Sequence, residues 1–374
     1  MKIKLIIPLL LFFLILLNCS KSSLIEQTKI QETRPFYMGV TPWPADFTIA
    51  EVDTSYAFVN NHCDIVSHHF DDGIPYDEAF NNQPMPLNLQ QDVQYRKSKT
   101  GLGKKILLSV SALDLTRIHK AGYFKQSTVA TSIKNSWESL AFDNPNITVA
   151  YVNYISWLVN NFQPNYINFG VESNASQFNA AEFQKYKLFL SQVYSQLKVK
   201  FPTIPIFISF IVDESNEGFA NASQLIAYTD YISLSAYPYV SVSSSASGNT
   251  NPELFPANYF EKFIALANKP LAISETGYIA ENISIPAFNL NKQGNEVWQK
   301  SYLNLVLNLC KVHNAKFLIW FCSKDYDAAI TTLQAQGLYQ DLFGLWKDTG
   351  FKNQNGTKRL SYKLWDEWIL KPIQ

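Results

Sequence analysis

The sequence predicts an α/β protein, a single (β/α)8 TIM barrel over residues 35–374. Three observations lead there. Eight short runs rich in Val, Ile, Phe and Tyr occur along the chain without polar alternation, as strands covered on both faces require. Amphipathic helical patterns separate most of these runs. No Gly-, Ser- or Pro-rich linker divides the segment, and it contains neither a P-loop nor a G-x-G-x-x-G. A closed barrel is therefore favoured over a doubly wound nucleotide-binding sheet.

Ahead of the barrel, "MKIKLIIPLLLFFLILLNCSKSS" carries Lys2 and Lys4, then uncharged apolar residues 5–17, then Asn18-Cys19-Ser20. This is the plan of a signal peptide, with an apolar run too short to span a membrane comfortably. "LLNC" resembles a bacterial lipobox, which implies a lipoprotein signal over residues 1–19, cleavage before Cys19 and lipidation of its sulfur. An uncleaved N-terminal anchor is the alternative. Both take the chain to the cell envelope and make the membrane a partner. Residues 20–34, "SKSSLIEQTKIQETR", are polar and aperiodic and read as a tether.

The eight expected strands are "FYMGVTPW" (36–43), "CDIVSHHF" (63–70), "KKILLSVSA" (104–112), "YINFGVES" (166–173), "PIFISFI" (205–211), "DYISLSAYPY" (230–239), "PLAISETGY" (270–278) and "KFLIWFCSKD" (316–325). Three helices stand out between them. Residues 149–162 place Val149, Val152, Ile155, Leu158 and Val159 on one face. Residues 180–201 do so with Phe183, Tyr186, Phe189, Leu190, Val193 and Leu197, and residues 296–313 with Val297, Tyr302, Leu305, Val306 and Leu309. Three long irregular stretches, 71–101, 113–148 and 240–258, follow the second, third and sixth strands. All three fall on the C-terminal face, where barrels keep their sites.

Composition narrows the partners. Thirty-one Lys and Arg balance 31 Asp and Glu without a basic block, so nucleic acid is not an expected partner. The aromatic content is high, with 8 Trp, 20 Tyr and 26 Phe; part fills a core and part suits flat surfaces for stacking against sugar rings, and composition does not separate the two. Cys63, Cys310 and Cys322 form no C-x-x-C and read as buried small hydrophobes, with a single disulfide pair as the alternative. The five His residues contain no H-E-x-x-H. No metal or cofactor is expected, and the chain is expected to be a monomer.

Two strand ends carry the chemistry. The fourth strand ends "NFGVESN" with Glu172, and the seventh ends "AISETGY" with Glu275. Glutamate is a poor strand residue and costly to bury. In a barrel, however, strand ends share one mouth, and the fourth and seventh strands face each other nearly across it. Two carboxyls meeting there suit glycoside hydrolysis, in which one protonates the leaving oxygen and the other attacks or stabilises the anomeric carbon.

At these residues the chain resembles clan A of the retaining glycoside hydrolases, over nearly all of residues 36–374. "MGVTPWP", "SLSAYPY", "ISETGY", "LIWFCSKD" and the closing "FGLWKDTGFKNQNGTKRLSYKLWDEW" carry the resemblance. Gly170-Val171-Glu172-Ser173-Asn174 is similar to the G-N-E-x-N of the arabinogalactan endo-β-1,4-galactanases. The resemblance implies a retaining glycosidase acting on a β-linked polysaccharide or oligosaccharide, endo rather than exo. Glu172 would be the acid/base and Glu275 the nucleophile, with Asn174 a substrate contact. The clan usually places Asn before the acid/base; here Val171 stands there. That departure suits the alternative, a non-catalytic carbohydrate-binding lipoprotein on a degenerate barrel.

Supporting residues follow. The Tyr237 hydroxyl is placed to bond Glu275 and keep it charged, and a dry setting beside Val171 and the nearby second carboxylate are expected to raise Glu172. Trp320 either floors the sugar site or packs the barrel, and Trp43 stands in a similar position on the first strand. His68 and His69 end the second strand. Alternation sends one of them into the mouth and the other outward, without saying which.

Overall fold

The computed structural model describes residues 32–242 and 247–374. The expected signal peptide, Cys19 and most of the tether lie outside the described residues, as does part of the Ser-rich stretch after the sixth barrel strand.

All eight expected strands form. They are β1 (Tyr37–Val40), β2 (Ile65–Phe70), β3 (Lys105–Val110), β4 (Tyr166–Gly170), β5 (Ile206–Ile211), β6 (Ile232–Ala236) and β7 (Leu271–Thr276). A short antiparallel hairpin, β8 (Ile283–Ile285) and β9 (Leu290–Lys292), then precedes β10 (Phe317–Trp320), the eighth barrel strand. The barrel closes in the order β1-β10-β7-β6-β5-β4-β3-β2, and its pairings are parallel.

Period-two alternation fills the barrel in layers. Ile65, Leu107, Phe207, Tyr231, Ala272, Phe317 and Ile319 form an inner apolar plug. Two residues further along four of those strands come Ser67, Ser109, Ser209 and Ser233, all buried. Two further again come His69, Ser111, Ile211 and Ser235. Around most of the barrel the interior thus passes from apolar to small polar side chains as it approaches the C-terminal mouth, with His69 at its rim.

Helices cover the outside. The helices Pro145–Phe162, Ala180–Lys200 and Glu296–Val312 coincide with the expected ones, and each begins at an Asn whose side chain caps a free backbone N–H. Two expected core residues are exposed. Val149 lies on the opposite side of its helix from Tyr151, Ile155 and Leu158, which make the buried stripe, and Val297 sits in the first turn of its helix with its side chain in solvent. Residues 71–101 are not irregular throughout. They contain the helix Leu87–Lys99, which buries only Leu89 and Val93 and so shows no apolar stripe.

The tether does not extend through Arg34. That side chain is buried, pairs with Asp64 at 2.6 Å and donates to the carbonyls of Phe36 and Trp368. Cys63, Cys310 and Cys322 are buried and free, as expected. Among the described residues no helix is long and apolar enough to cross a membrane.

Candidate active site

The barrel's alternation aims most of the site. On β6, Tyr231 and Ser233 face inward, so Ser235 and then Tyr237 follow them on the same side. On β2, Ile65 and Ser67 lead to His69. On β7 simple alternation from Ala272 would turn Glu275 outward. A register shift on both edges of β7 adds one residue between Ile273 and Glu275, and it places the Glu275 Cα opposite Ser235. This is what a β-bulge does: it bends the strand and re-aims the next side chain.

Glu172 follows β4 in a left-handed conformation, φ +53°. Such a backbone is uncommon for a non-glycine residue and persists where its surroundings hold it. Here the Glu172 backbone N–H donates to Ser209 Oγ at 2.9 Å. The carboxyl is held on both oxygens. Ser235 Oγ donates to Oε1 at 2.7 Å, and Arg117 Nε donates to Oε2 at 2.7 Å. Ser235 therefore ties the two glutamates together, since its hydroxyl holds Glu172 while its Cα is in register with Glu275. The Tyr237 hydroxyl donates to Glu275 Oε1 at 2.6 Å. His69 Nε2 lies 3.3 Å from Asp71 Oδ2 beside them.

The electrostatics reverse the expected order of the two carboxyls. Burial favours the protonated form of Glu172. The Arg117 charge and hydrogen bond, aided by the Ser235 hydroxyl and the His69 charge, outweigh it and hold Glu172 below the ordinary carboxylate value. Glu275 is pushed up, by burial first and by the Glu172 charge second, against His69, Tyr237 and Arg117. Val171 is buried, but its dryness does not decide the matter because the Arg117 guanidinium is hydrogen-bonded to the Glu172 carboxyl.

His69 and Asp71 make a titrating pair. Burial opposes charge on the ring, yet the Asp71 charge and hydrogen bond raise His69 above its ordinary value. Asp71 is held low by His69, Arg117 and Lys125 despite its burial. A raised His stabilises the fold below the unfolded value near 6.5 and loses that contribution as pH rises through its folded value. A depressed Asp stabilises above about 3.9 and loses its contribution as pH falls. The pair should therefore stabilise fully between about pH 4 and 6.5. His69→Asn should flatten the fall in urea midpoint above that window; an unchanged slope would exclude the pair as its source.

The structure separates the sequence-predicted residues into two groups. Glu172, Glu275, Tyr237 and His69 meet at the mouth. Trp43 joins them through an aromatic wall: its ring lies 6.0 Å from Phe321, Phe321 lies 6.5 Å from Trp346, and Trp346 lies 5.8 Å from Tyr237. Its Nε1 is buried and lacks a hydrogen-bond partner.

Three others point elsewhere. His68 faces the helices, stacked on Phe162 at 4.5 Å with Nε2 3.1 Å from Thr100 Oγ1, and burial and Arg96 hold it well below its ordinary value. Asn174 is fully buried and spends its amide on the backbone: it accepts from Ile211 N–H and donates to the carbonyls of Ile211 and Gly218. Trp320 faces outward, stacked on Phe351 at 5.2 Å with its N–H on the Thr349 carbonyl. Because Ile319 belongs to the inner plug, the next inward position is Phe321. Trp320→Ala should accordingly cost about 3–5 kcal/mol of stability, as large-to-small changes in a packed core do. A urea midpoint unchanged from wild type would place the ring outside the core.

Glu281, Asp325 and Asp348, at the edge of the C-terminal face, bring carboxylate oxygens within 4.8 Å of one another. Cations of the chain already serve them, Lys347 lying 3.2 Å from Asp348. Arg359 donates to Glu281 at 2.6 Å and to Asp325. Burial raises Asp325 to about 7 and Asp348 to about 6.

No protein-family model and no curated protein sequence matches the chain. Solved structures do. The chain is similar to an exo-β-1,4-mannosidase from Opitutaceae bacterium strain TAV5, with a TM-score of 0.60 and 15% identity over 91% of this chain and 59% of that one. The GH53 catalytic domain of Ignisphaera aggregans superposes with a TM-score of 0.58 at 16% identity, covering 91% and 99%. Xylanase 10B from Thermotoga maritima gives 0.56 at 10%, covering 90% and 95%. Glycoside hydrolases share this barrel. At these identities the likeness is one of fold, and the chain spans 59% of the mannosidase's length.

Proposed function

We propose that this protein is a retaining glycosidase acting on a β-linked polysaccharide or oligosaccharide, endo rather than exo, in the manner of clan A. One observation carries the reading: the two strand-end glutamates share a mouth, linked by Ser235, with Tyr237 bonded to Glu275. The glycoside hydrolases of the same fold support it. Glu275 attacks the anomeric carbon and Glu172 protonates the leaving oxygen, then activates water for the second displacement. The wall of Trp43, Phe321 and Trp346 suits a flat sugar face. A screen of the purified chain against galactan, mannan, xylan and glucan, with fluoro-sugar labelling read by mass spectrometry, tests this. Turnover with a covalent adduct on Glu275 is expected.

Val171 favours a second reading, a non-catalytic carbohydrate-binding protein. It would show as oligosaccharide binding without turnover or labelling.

We also propose lipidation at Cys19 and a place at the bacterial cell envelope, supported by "LLNC". Cys19→Ala should lose detergent-phase partitioning; a mutant that partitions as the wild type does would remove that support.

A further inference from the structure

Arg117 was not expected at the site. It stands at the tip of a turn between β3 and the helices that follow, at φ +63°. The turn is closed by a bridge between Leu113 and Lys120 and by Asp114 N–H on the His119 carbonyl at 3.0 Å. The Arg117 N–H donates to the Asp114 carbonyl at 3.1 Å, and Thr116 Oγ1 donates to Asp114 Oδ1 at 2.7 Å. The guanidinium is anchored as well as the backbone. Nη1 donates to Ser111 Oγ at 3.3 Å and to the Asp114 carbonyl at 3.1 Å, which leaves Nε aimed at Glu172 Oε2.

We propose that Arg117 is a positioning residue for Glu172, fixing the plane of its carboxyl together with Ser235 and governing when that carboxyl carries a proton. The two donors differ in kind. A hydroxyl can turn and accept, so Ser235 can stay bonded to a protonated Glu172. A guanidinium has donors only and stays charged at every working pH. While Arg117 sits on Oε2 it favours the carboxylate, and Glu172 serves as an acid only as that contact loosens. Of the two carboxyls, Glu275 holds a proton the more readily. The other groups facing Glu172 are His69 from the end of β2, Tyr237 after β6 and Glu275 from β7, while Asp71 faces Arg117 itself. Replacing Arg117 leaves these residues in place but also removes its charge from His69, Asp71 and Glu275, so the Glu172 midpoint is read beside theirs.

The inference rests on Glu172 as a reacting carboxyl, but its test does not need turnover. Full-length protein carrying 13C-labelled glutamate is titrated by NMR, with the Glu172 signal assigned by its loss in Glu172→Gln. In Arg117→Gln the Glu172 midpoint should rise by roughly 1–3 pH units, the scale of losing an adjacent opposite charge. Arg117→Lys should restore most of the difference. Arg117→Met, which keeps length without charge, serves if the Gln variant does not fold. An unchanged midpoint, or a rise as large in Arg117→Lys as in Arg117→Gln, overturns the proposal. Absence of turnover with the midpoint raised would defeat the hydrolase reading and leave Arg117's hold on Glu172 standing.

Discussion

Glu275→Ala should abolish turnover of every glycoside the wild type cleaves, by roughly 10^4- to 10^6-fold in kcat, the scale on which enzymes lose a covalent nucleophile. The expectation follows from position before chemistry. The bulge in β7 turns Glu275 into the mouth, and Tyr237 fixes one of its oxygens at 2.6 Å. With the carboxylate gone no glycosyl-enzyme forms, so an activated aryl leaving group brings no relief. Tyr237→Phe separates orientation from nucleophilicity. It leaves the carboxylate but removes the donor, and the loss should be milder. Rate measurements with one natural and one aryl substrate check this. A Glu275→Ala variant that retains the aryl substrate's rate would assign the nucleophile elsewhere.

The barrel was legible because its strands are covered on both faces and so lack polar gaps. All eight appear where the apolar runs lie. The site was legible where alternation runs unbroken. Ser67 inward makes His69 inward and His68 outward, and Ile319 in the plug makes Phe321, not Trp320, the inward aromatic. Those facts depend on which parity faces the core, and an unbroken apolar run does not mark its own inner face. Asn174 and Arg117 were illegible for another reason. Both lie past strand ends, where backbone turns rather than period-two geometry set direction. Asn174 turns to pin the chain after β4 onto β5, while Arg117, in a left-handed turn, reaches a carboxylate 55 positions away in sequence. No local pattern encodes such a contact. The helix Leu87–Lys99 was hidden because a polar helix with two buried residues carries no stripe.

Glu172→Ala should fail in a different way from Glu275→Ala, and the difference tests the division of labour. Losing the acid removes protonation of the leaving oxygen, which costs about 10^2- to 10^4-fold where the leaving group is a sugar alkoxide. An activated aryl glycoside needs little protonation, so its first step should survive and the glycosyl-enzyme on Glu275 should accumulate, visible as a burst and as an added sugar mass. The second step then lacks its base. Azide, a small anion that needs no deprotonation, should enter the vacated space and release a β-glycosyl azide, restoring turnover. Removing Glu172 also removes the charge that helps push Glu275 up, so the ionised form of Glu275 should extend to lower pH in this variant. The low-pH limb of the azide-rescued rate should shift downward accordingly. An α-azide product, or rescue confined to Glu275→Ala, would reverse the two roles, and the low-pH limb would then belong to Glu172 beneath Arg117.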